Sequence, residues 1–394
     1  MRTSDAFVGL DCVDCGARTP PEEGFGRCDE CGGILDPVYE HDEPPTRETF
    51  GDRPIDSMWR YHELLPYPRE AAVTLGEGGT PLTPAPSLAE RMGVDRVFIK
   101  DEGDNPTGTF KDRGQTMAMT AAVQAGADEV SLPSAGNAGH SMSAYAARAG
   151  LPGHVYLPEQ AGYTQKAMVE VHGSELTTVP GSLSRAGAAH NEAAEAEGWH
   201  PLTTFVTPYR HEGKKTMLYE TVEQLDWEVP DAVVYPTGGG VGLVGMHKAA
   251  TEFQEFGLTD GRPAMYAAQS TGCAPVVRAW EEGKDVHEAW EDPDTVCNGI
   301  EVPDPGASPL ILDAVRESGG GAVATDDEAI LDAAIEVARR EGVEMGGTCA
   351  AAASGAFELA DRGEFDADDT VVLLNTGAGF KDVDLLRGHV GDEP

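Results

Sequence analysis

The sequence predicts an α/β protein, with largely parallel sheets covered by helices on both faces and a small cysteine-rich module in front. Three observations carry that expectation. From Val73 onward, short apolar runs alternate with longer amphipathic stretches. The glycine-rich stretches fall just after apolar runs. Four of the seven cysteines lie within the first 31 residues. Strand and helix in alternation imply a parallel sheet, since joining parallel neighbours takes a crossover that a helix supplies. At 394 residues the chain exceeds the usual single-domain length, so two globular domains plus a small appendage are expected.

The cysteines come first in the chain. They form two C-x-x-C-G knuckles, Cys12-Val13-Asp14-Cys15-Gly16 and Cys28-Asp29-Glu30-Cys31-Gly32. Two residues between thiolates let one ion accept both sulfurs, and the following glycine takes the turn that points amides at them. Four sulfurs at two such corners make a closed, structural site with zinc as the expected ion, held by Cys12, Cys15, Cys28 and Cys31. The alternative is a pair of disulfides, which suits an exported chain. Cys273, Cys297 and Cys349 stand alone and read as inert buried thiols. We divide the chain into a zinc ribbon over 1–36, an extended connection over 37–72 that is rich in proline and charge, and a main body over 73–394.

In the main body, apolar runs at 97–99, 130–132, 154–157, 232–235, 265–268 and 371–374 read as short buried strands. Amphipathic patterns at 139–149, 184–198 and 326–341 read as helices. Ligands in such folds bind at the carboxyl ends of strands, and four glycine-rich stretches lie there. Asn105 to Gly114 places Lys111 at the start of a helix, and Ser134 to Ser141 opens the next one. Pro236 to Leu243, with Gly238-Gly239-Gly240, follows the Val233 strand, and Asn375 to Asp382 follows the last strand. A triple glycine between strand and helix is a generic anion cradle or a mere tight turn. It has no Gly-Lys-Ser/Thr ending and lacks the dinucleotide spacing, which disfavours a Walker loop and a nicotinamide cofactor.

Composition narrows the partners. Sixty-eight acidic residues against 28 basic ones leave a net charge of -40, spread along the whole chain. That field repels nucleic acid and anionic membranes, and the acidic surroundings of the knuckles argue against a nucleic-acid module there. Self-repulsion is screened over about 3 Å at molar salt, so a halophilic protein of a salt-rich cytoplasm is expected; an acidic partner-binding surface is the alternative. No apolar run reaches the roughly 18 residues of a membrane span. No apolar core follows Met1 to Asp5, so a cytoplasmic location is expected. Lysine is scarce, which raises the information carried by Lys111.

Taken in order, the four stretches resemble the fold type II pyridoxal phosphate enzymes, and the threonine synthase family in particular. Asn105-Pro106-Thr107-Gly108-Thr109-Phe110-Lys111-Asp112-Arg113-Gly114 is similar to that family's N-P-T-G-S-F-K-D-R-G. The likeness extends from Trp59 to Pro66, through Leu75 to Leu82, and on to the end, and the double knuckle resembles the zinc-ribbon leader of many members. The resemblance implies the tryptophan synthase beta-like fold, with two three-layer, parallel-sheet domains, the smaller over about 112–220. It further implies that Lys111 carries the cofactor and acts as base, and that Asn137 meets the phenolic oxygen while doubling as a helix cap. Gly238, Gly239, Gly240, Val241 and Gly242 would hold the cofactor phosphate, and Thr376 would meet the pyridine nitrogen. A neutral hydroxyl there suits elimination and replacement better than transamination. The reaction implied is that of a carbon–oxygen lyase turning O-phosphohomoserine and water into threonine and phosphate, in a homodimer.

The departures lie on the substrate side. Ala138 stands where the family commonly has threonine. Phe205-Val206-Thr207-Pro208-Tyr209-Arg210 stands for S-x-N-P-x-R. The expected substrate contacts are therefore Arg210, Lys215 and Ser134, with a structural salt bridge as the alternative for Arg210; His140 reads as a packed helix residue, with compensation for the lost threonine as its alternative. The second functional reading is a threonine or serine dehydratase, or another elimination or replacement enzyme of amino-acid metabolism.

Overall fold

The computed structural model describes residues 1–51 and 53–391. Position 52, in the expected connection, and positions 392–394, at the end of the expected main body, lie outside the described residues. The chain forms two compact units, one of Met1–Gly79 and Asn105–Thr216, the other of Thr80–Asp104 and the chain from Met217 onward. The six expected strands and three expected helices are present, and among the described residues no helix is long and apolar enough to cross a membrane.

The first unit holds two sheets. A small antiparallel sheet has the strand Phe7–Cys12 at its centre, pairing Leu10 with Thr19 on one side and Cys12 with Leu35 on the other. Phe7, Leu10, Cys12, Cys28 and Leu35 share one core with Trp59, Tyr67, Met117, Ala121 and Tyr209. The cysteine module is thus packed into the unit rather than hung from it. Segment 37–72 is not extended throughout. It turns through 3-10 helices at Met58–Leu64 and Arg69–Ala71, because Met58, Trp59, Tyr61 and Leu64 are buried there. The second sheet is parallel, in the order Glu175–Val179, Gly153–Pro158, Val130–Pro133, His200–Pro201. Leu132, Val155 and Leu157 pack with Met119, Met142 and Tyr145 from the helices Lys111–Ala125 and Asn137–Ala149.

One close approach in this unit is set by glycine. A Cβ on Gly213 would stand 1.9 Å from the Arg113 carbonyl oxygen, and one on Gly114 would stand 3.0 Å from that of Arg210. Helix Lys111–Ala125 therefore meets the first turns of helix Tyr209–Gln224 backbone to backbone. Gly213→Ala is expected to force the two apart and lower stability by about 1–3 kcal/mol, read as a drop in the thermal midpoint; an unchanged midpoint would show that the crossing is not tight.

The second unit is built on one six-stranded sheet in the order Gly321–Thr325, Ala264–Ser270, Ala232–Pro236, Thr370–Asn375, Arg96–Asp101, Leu82–Pro84. All neighbours are parallel except the edge strand Leu82–Pro84, which runs antiparallel to Arg96–Asp101. Val234, Ala268, Val323 and Leu373 from the sheet meet Ala352, Ala353, Ala356 and Phe357. The run of alanines lets helix Ala351–Asp361 lie close to the sheet, and a Cβ on Gly355 would already sit 2.9 Å from Val323. Lys100 and Glu220, both fully buried, pair at 2.9 Å, and the ammonium also donates to the Thr80 carbonyl (2.8 Å) and Gln224 (2.9 Å).

Burial pushes the imidazolium pKa of His41, His172, His190, His200 and His247 down. A depressed folded-state pKa gives stability that is present above the unfolded value, about 6.5, and is lost as pH falls below it. Thermal midpoints in molar salt are therefore expected to fall between about pH 6.5 and 5. A midpoint that stays flat over this window would contradict the burial of these rings.

Candidate functional site

Lys111 opens its helix, with Phe110 as N-cap and the Thr109 hydroxyl accepting the Lys111 amide at 3.3 Å. The next residue holds this turn in place. Asp112 is buried, and its carboxylate accepts from Thr107 N (2.7 Å), Thr107 Oγ1 (2.6 Å) and Ser141 Oγ (2.5 Å). Desolvation raises the Asp112 pKa above the ordinary aspartate value, against the pull of those hydrogen bonds. The Ser141 bond ties the first turn of Lys111's helix to that of the helix beginning at Asn137. Lys111 and Asn137 thus open two helices pinned together at their starts. Glu77 braces the same region, accepting from Trp59 Nε1 (2.8 Å), Tyr145 OH (2.6 Å) and Leu75 N (2.9 Å).

The Lys111 ammonium lies 4.2 Å from the centroid of the Phe110 ring. A second ammonium, that of Lys214, lies 4.0 Å from the same centroid and donates to the Phe110 carbonyl. Lys214 is fully buried. In the sequence it is one residue of the basic cluster after Arg210, and its place in a helix facing Gly114 is a long-range fact.

Asn137 is partly buried, and its side-chain oxygen receives Gln165 Nε2 at 3.4 Å. Ser134 Oγ accepts the amides of Gly136 (2.9 Å) and Gly139 (3.1 Å), which shapes the loop and leaves the hydroxyl hydrogen for another acceptor. Gly136 has φ +149°, a conformation other residues rarely adopt. Arg210 is buried, with Nη1 donating to the Leu202 carbonyl at 3.3 Å. Phe205 has φ +57° and stacks on His211 at 5.8 Å, and the buried Thr207 hydroxyl has no hydrogen-bond partner among the described residues. Lys215 is fully buried, 2.7 Å from Glu212 Oε2 and donating to the Leu64 carbonyl at 2.7 Å, with its ammonium 4.4 Å from the Tyr39 centroid. That ammonium is committed inside the unit. Tyr39 OH also donates to Glu212 (2.5 Å) and His211 Nε2 lies 2.8 Å from Asp36, so the strand after the cysteines is bound to the helix of Arg210.

In the second unit the triple glycine and Thr376 leave the carboxyl ends of adjacent parallel strands, Ala232–Pro236 and Thr370–Asn375. Helix Val241–Glu255 follows, with Gly240 as N-cap at φ +69° and no side chain capping it. The amides of a helix's first turn have no acceptor within the helix, so loop and helix start offer an anion-binding set of donors. A Cβ on Gly240 would stand 2.2 Å from Ile311 and one on Gly242 would stand 2.3 Å from Tyr235, whereas Gly239 has nothing within 4 Å. Gly239 therefore faces open space at the donor set. Thr376 is buried, and its hydroxyl donates to Cys349 Sγ at 3.2 Å. Asn375 beside it donates to Asp101 (2.8 Å) and the Glu344 carbonyl (3.2 Å).

The four N-terminal sulfurs lie within 4.8 Å of one another, with Cys12 and Cys31 at 3.5 Å and Cys15 and Cys28 at 3.8 Å, and all four are free of disulfides. Tetrahedral ligands at the usual zinc–sulfur distance of about 2.3 Å stand about 3.8 Å apart, so the set fits one ion. An amide hydrogen bond at Gly33 pulls the Cys31 thiol down, but the thiols of Cys15 and Cys12 push it up to about 12. A cation relieves that conflict.

Comparison with known proteins bears on the family and the fold. Residues 73–377 match the family model described as pyridoxal-phosphate dependent enzyme. The chain is 36% identical over 374 residues to the threonine synthase of Methanosarcina acetivorans, covering 95% of this chain and 92% of that one. It is 35% identical over 389 residues to the threonine synthase of Methanocaldococcus jannaschii, covering 97% and 95%. Among solved structures, threonine deaminase isoform 2 of Solanum lycopersicum superposes with a TM-score of 0.67 at 22% identity, covering 79% of this chain and 88% of that one. Maize serine racemase superposes at 0.68 and 20% identity, covering 79% and 92%. These two speak for the fold alone. The chain belongs to the pyridoxal phosphate-dependent enzymes of fold type II and, among them, to the threonine synthase family of lyases.

Proposed function

We propose that the chain converts O-phosphohomoserine and water to threonine and phosphate. The observation that carries this reading is the likeness to threonine synthases along 95% of the chain. Bound pyridoxal phosphate supplies an electron sink for charge that develops on the amino-acid carbons. The residues do the rest. Lys111 carries the cofactor and moves protons at the alpha and beta carbons, where a desolvated amine is a competent base. The Asn137 side chain meets the phenolic oxygen. The amides of Gly238 to Gly242 hold the cofactor phosphate, and Thr376 meets the ring nitrogen. Ser134 gives its remaining hydrogen to a substrate oxygen, and Arg210 pairs with the substrate's anionic group. We assign Lys215 to holding Glu212 and Leu64, because a buried and paired ammonium is poorly placed to receive a ligand.

The test is direct. Protein in molar salt given O-phosphohomoserine is expected to release phosphate and form threonine. Formation of 2-oxo acid from threonine or serine without phosphate release would instead support the dehydratase reading.

We further propose one structural zinc on Cys12, Cys15, Cys28 and Cys31, in a ribbon over 1–36 joined through 37–72 to a catalytic region whose smaller domain spans about 112–220. Because Cys12 and Cys28 share a core with Met117 and Ala121 of Lys111's helix, stripping the ion is expected to lower stability by about 3 kcal/mol or more. One zinc per chain and a lower thermal midpoint after chelation are the expected results; a metal-free protein that melts unchanged would refute the site. A homodimer in a salt-rich cytoplasm completes the reading. Sedimentation at twice the chain mass in molar salt tests the first part, and loss of the folded state on dialysis to low salt tests the second.

A further inference from the structure

Cys349 has no part in the roles assigned above, yet the hydroxyl of Thr376 donates to its sulfur at 3.2 Å, with both side chains buried. The surroundings hold this contact from two sides. Ahead of helix Ala351–Asp361, the chain is laced to the segment that follows strand Thr370–Asn375. Gly346 N donates to the Gly377 carbonyl at 2.9 Å and Gly379 N to that of Glu344 at 3.2 Å, and Met345 bridges Ala378. A Cβ on Gly346 would stand 3.1 Å from Cys349 Sγ and 3.1 Å from the Gly377 carbonyl oxygen. The glycine thus makes room for the sulfur beside the threonine.

We infer that Cys349 is a positioning residue for the cofactor: its thiol orients the Thr376 hydroxyl and sets whether that hydroxyl gives or accepts the hydrogen bond at the ring nitrogen. The inference rests on the role proposed for Thr376. A threonine hydroxyl has one hydrogen and two lone pairs, and a thiol is both a weak donor and a weak acceptor. With its hydrogen on the sulfur, Thr376 presents lone pairs, which match a protonated ring nitrogen. With the thiol hydrogen turned onto Oγ1, Thr376 is free to donate, which matches an unprotonated one. The pair moves between these states by rotating two hydrogens, so the chain tolerates either form of the ring without moving a heavy atom.

The test is titration of pyridoxal phosphate into wild type, Cys349→Ser, Cys349→Ala and Thr376→Val in molar salt, following near-visible absorbance and cofactor fluorescence against pH. Cys349→Ala is expected to weaken cofactor binding roughly three- to tenfold and to move the pH midpoint of the absorbance band. Cys349→Ser, whose hydroxyl also gives and accepts, is expected to keep wild-type affinity within about twofold. Wild-type affinity and midpoint in Cys349→Ala, with both changed in Thr376→Val, would overturn the inference. If Thr376→Val is also silent, the role of Thr376 itself fails and the inference falls with it. A measurement that needs no Cys349 variant is the S–H stretch in infrared difference spectra of wild type. It is expected to shift when the cofactor binds and to show no such shift in Thr376→Val; a stretch unmoved by the cofactor overturns the inference.

Discussion

Replacing Lys111 with alanine is expected to abolish the near-visible absorbance of the bound cofactor and to lower turnover at least about a thousandfold. Two losses would combine in that figure under the role proposed for Lys111: the covalent hold on pyridoxal phosphate and the base that moves protons at the substrate carbons. Lys214 does not replace it, since its fully buried ammonium already donates to the Phe110 carbonyl. The fold should survive, because the Asp112 bonds to Thr107 and Ser141 that pin this turn do not involve the Lys111 side chain. Absorbance, turnover and thermal midpoint are measured together. Retained absorbance with normal turnover would remove Lys111 from its assigned role.

Replacing Lys100 with methionine is expected to give the largest loss of stability, about 3–5 kcal/mol, because it strands the Glu220 carboxylate in a fully buried position. At about 2–4 °C per kcal/mol for a domain of this size, the thermal midpoint should fall by roughly 6–20 °C. The double variant Lys100→Met, Glu220→Met should recover much of that fall, since an apolar pair leaves no charge to desolvate. The effect reaches the function as well. Lys100 lies opposite Leu374 on the neighbouring strand, two residues before Thr376, so weaker cofactor binding should accompany the lower midpoint. A single variant as stable as wild type would show that the pair contributes nothing.

The stretches proposed to form the site could be located in the sequence because their parts are local. Asn105 to Gly114, the triple glycine and the turn at Thr376 each follow a strand and precede a helix, and backbone amides at such junctions favour anions whatever the distant environment. Asp112 and Cys349 were not legible as supports. Asp112 accepts a hydrogen bond from Ser141, in the next helix, and Cys349 one from Thr376, 27 residues on. Neither spacing is a helical or strand period, so no local pattern marks either residue.

The chain's alternation of apolar runs and helical stretches, its paired knuckles and its lysine-bearing motif determined by themselves the parallel α/β class, the cysteine cluster and the family to expect. These are written in short-range periodicity and in residue types whose chemistry does not depend on neighbours. Only the tertiary structure decided which polar groups are engaged. Lys214 and Lys215 are adjacent and alike in sequence, yet one lies on Phe110 beside Lys111 and the other on Glu212 beneath Tyr39. Side chains one position apart on a helix point about 100° apart, so the elements packed around each one, brought from far along the chain, settle its role.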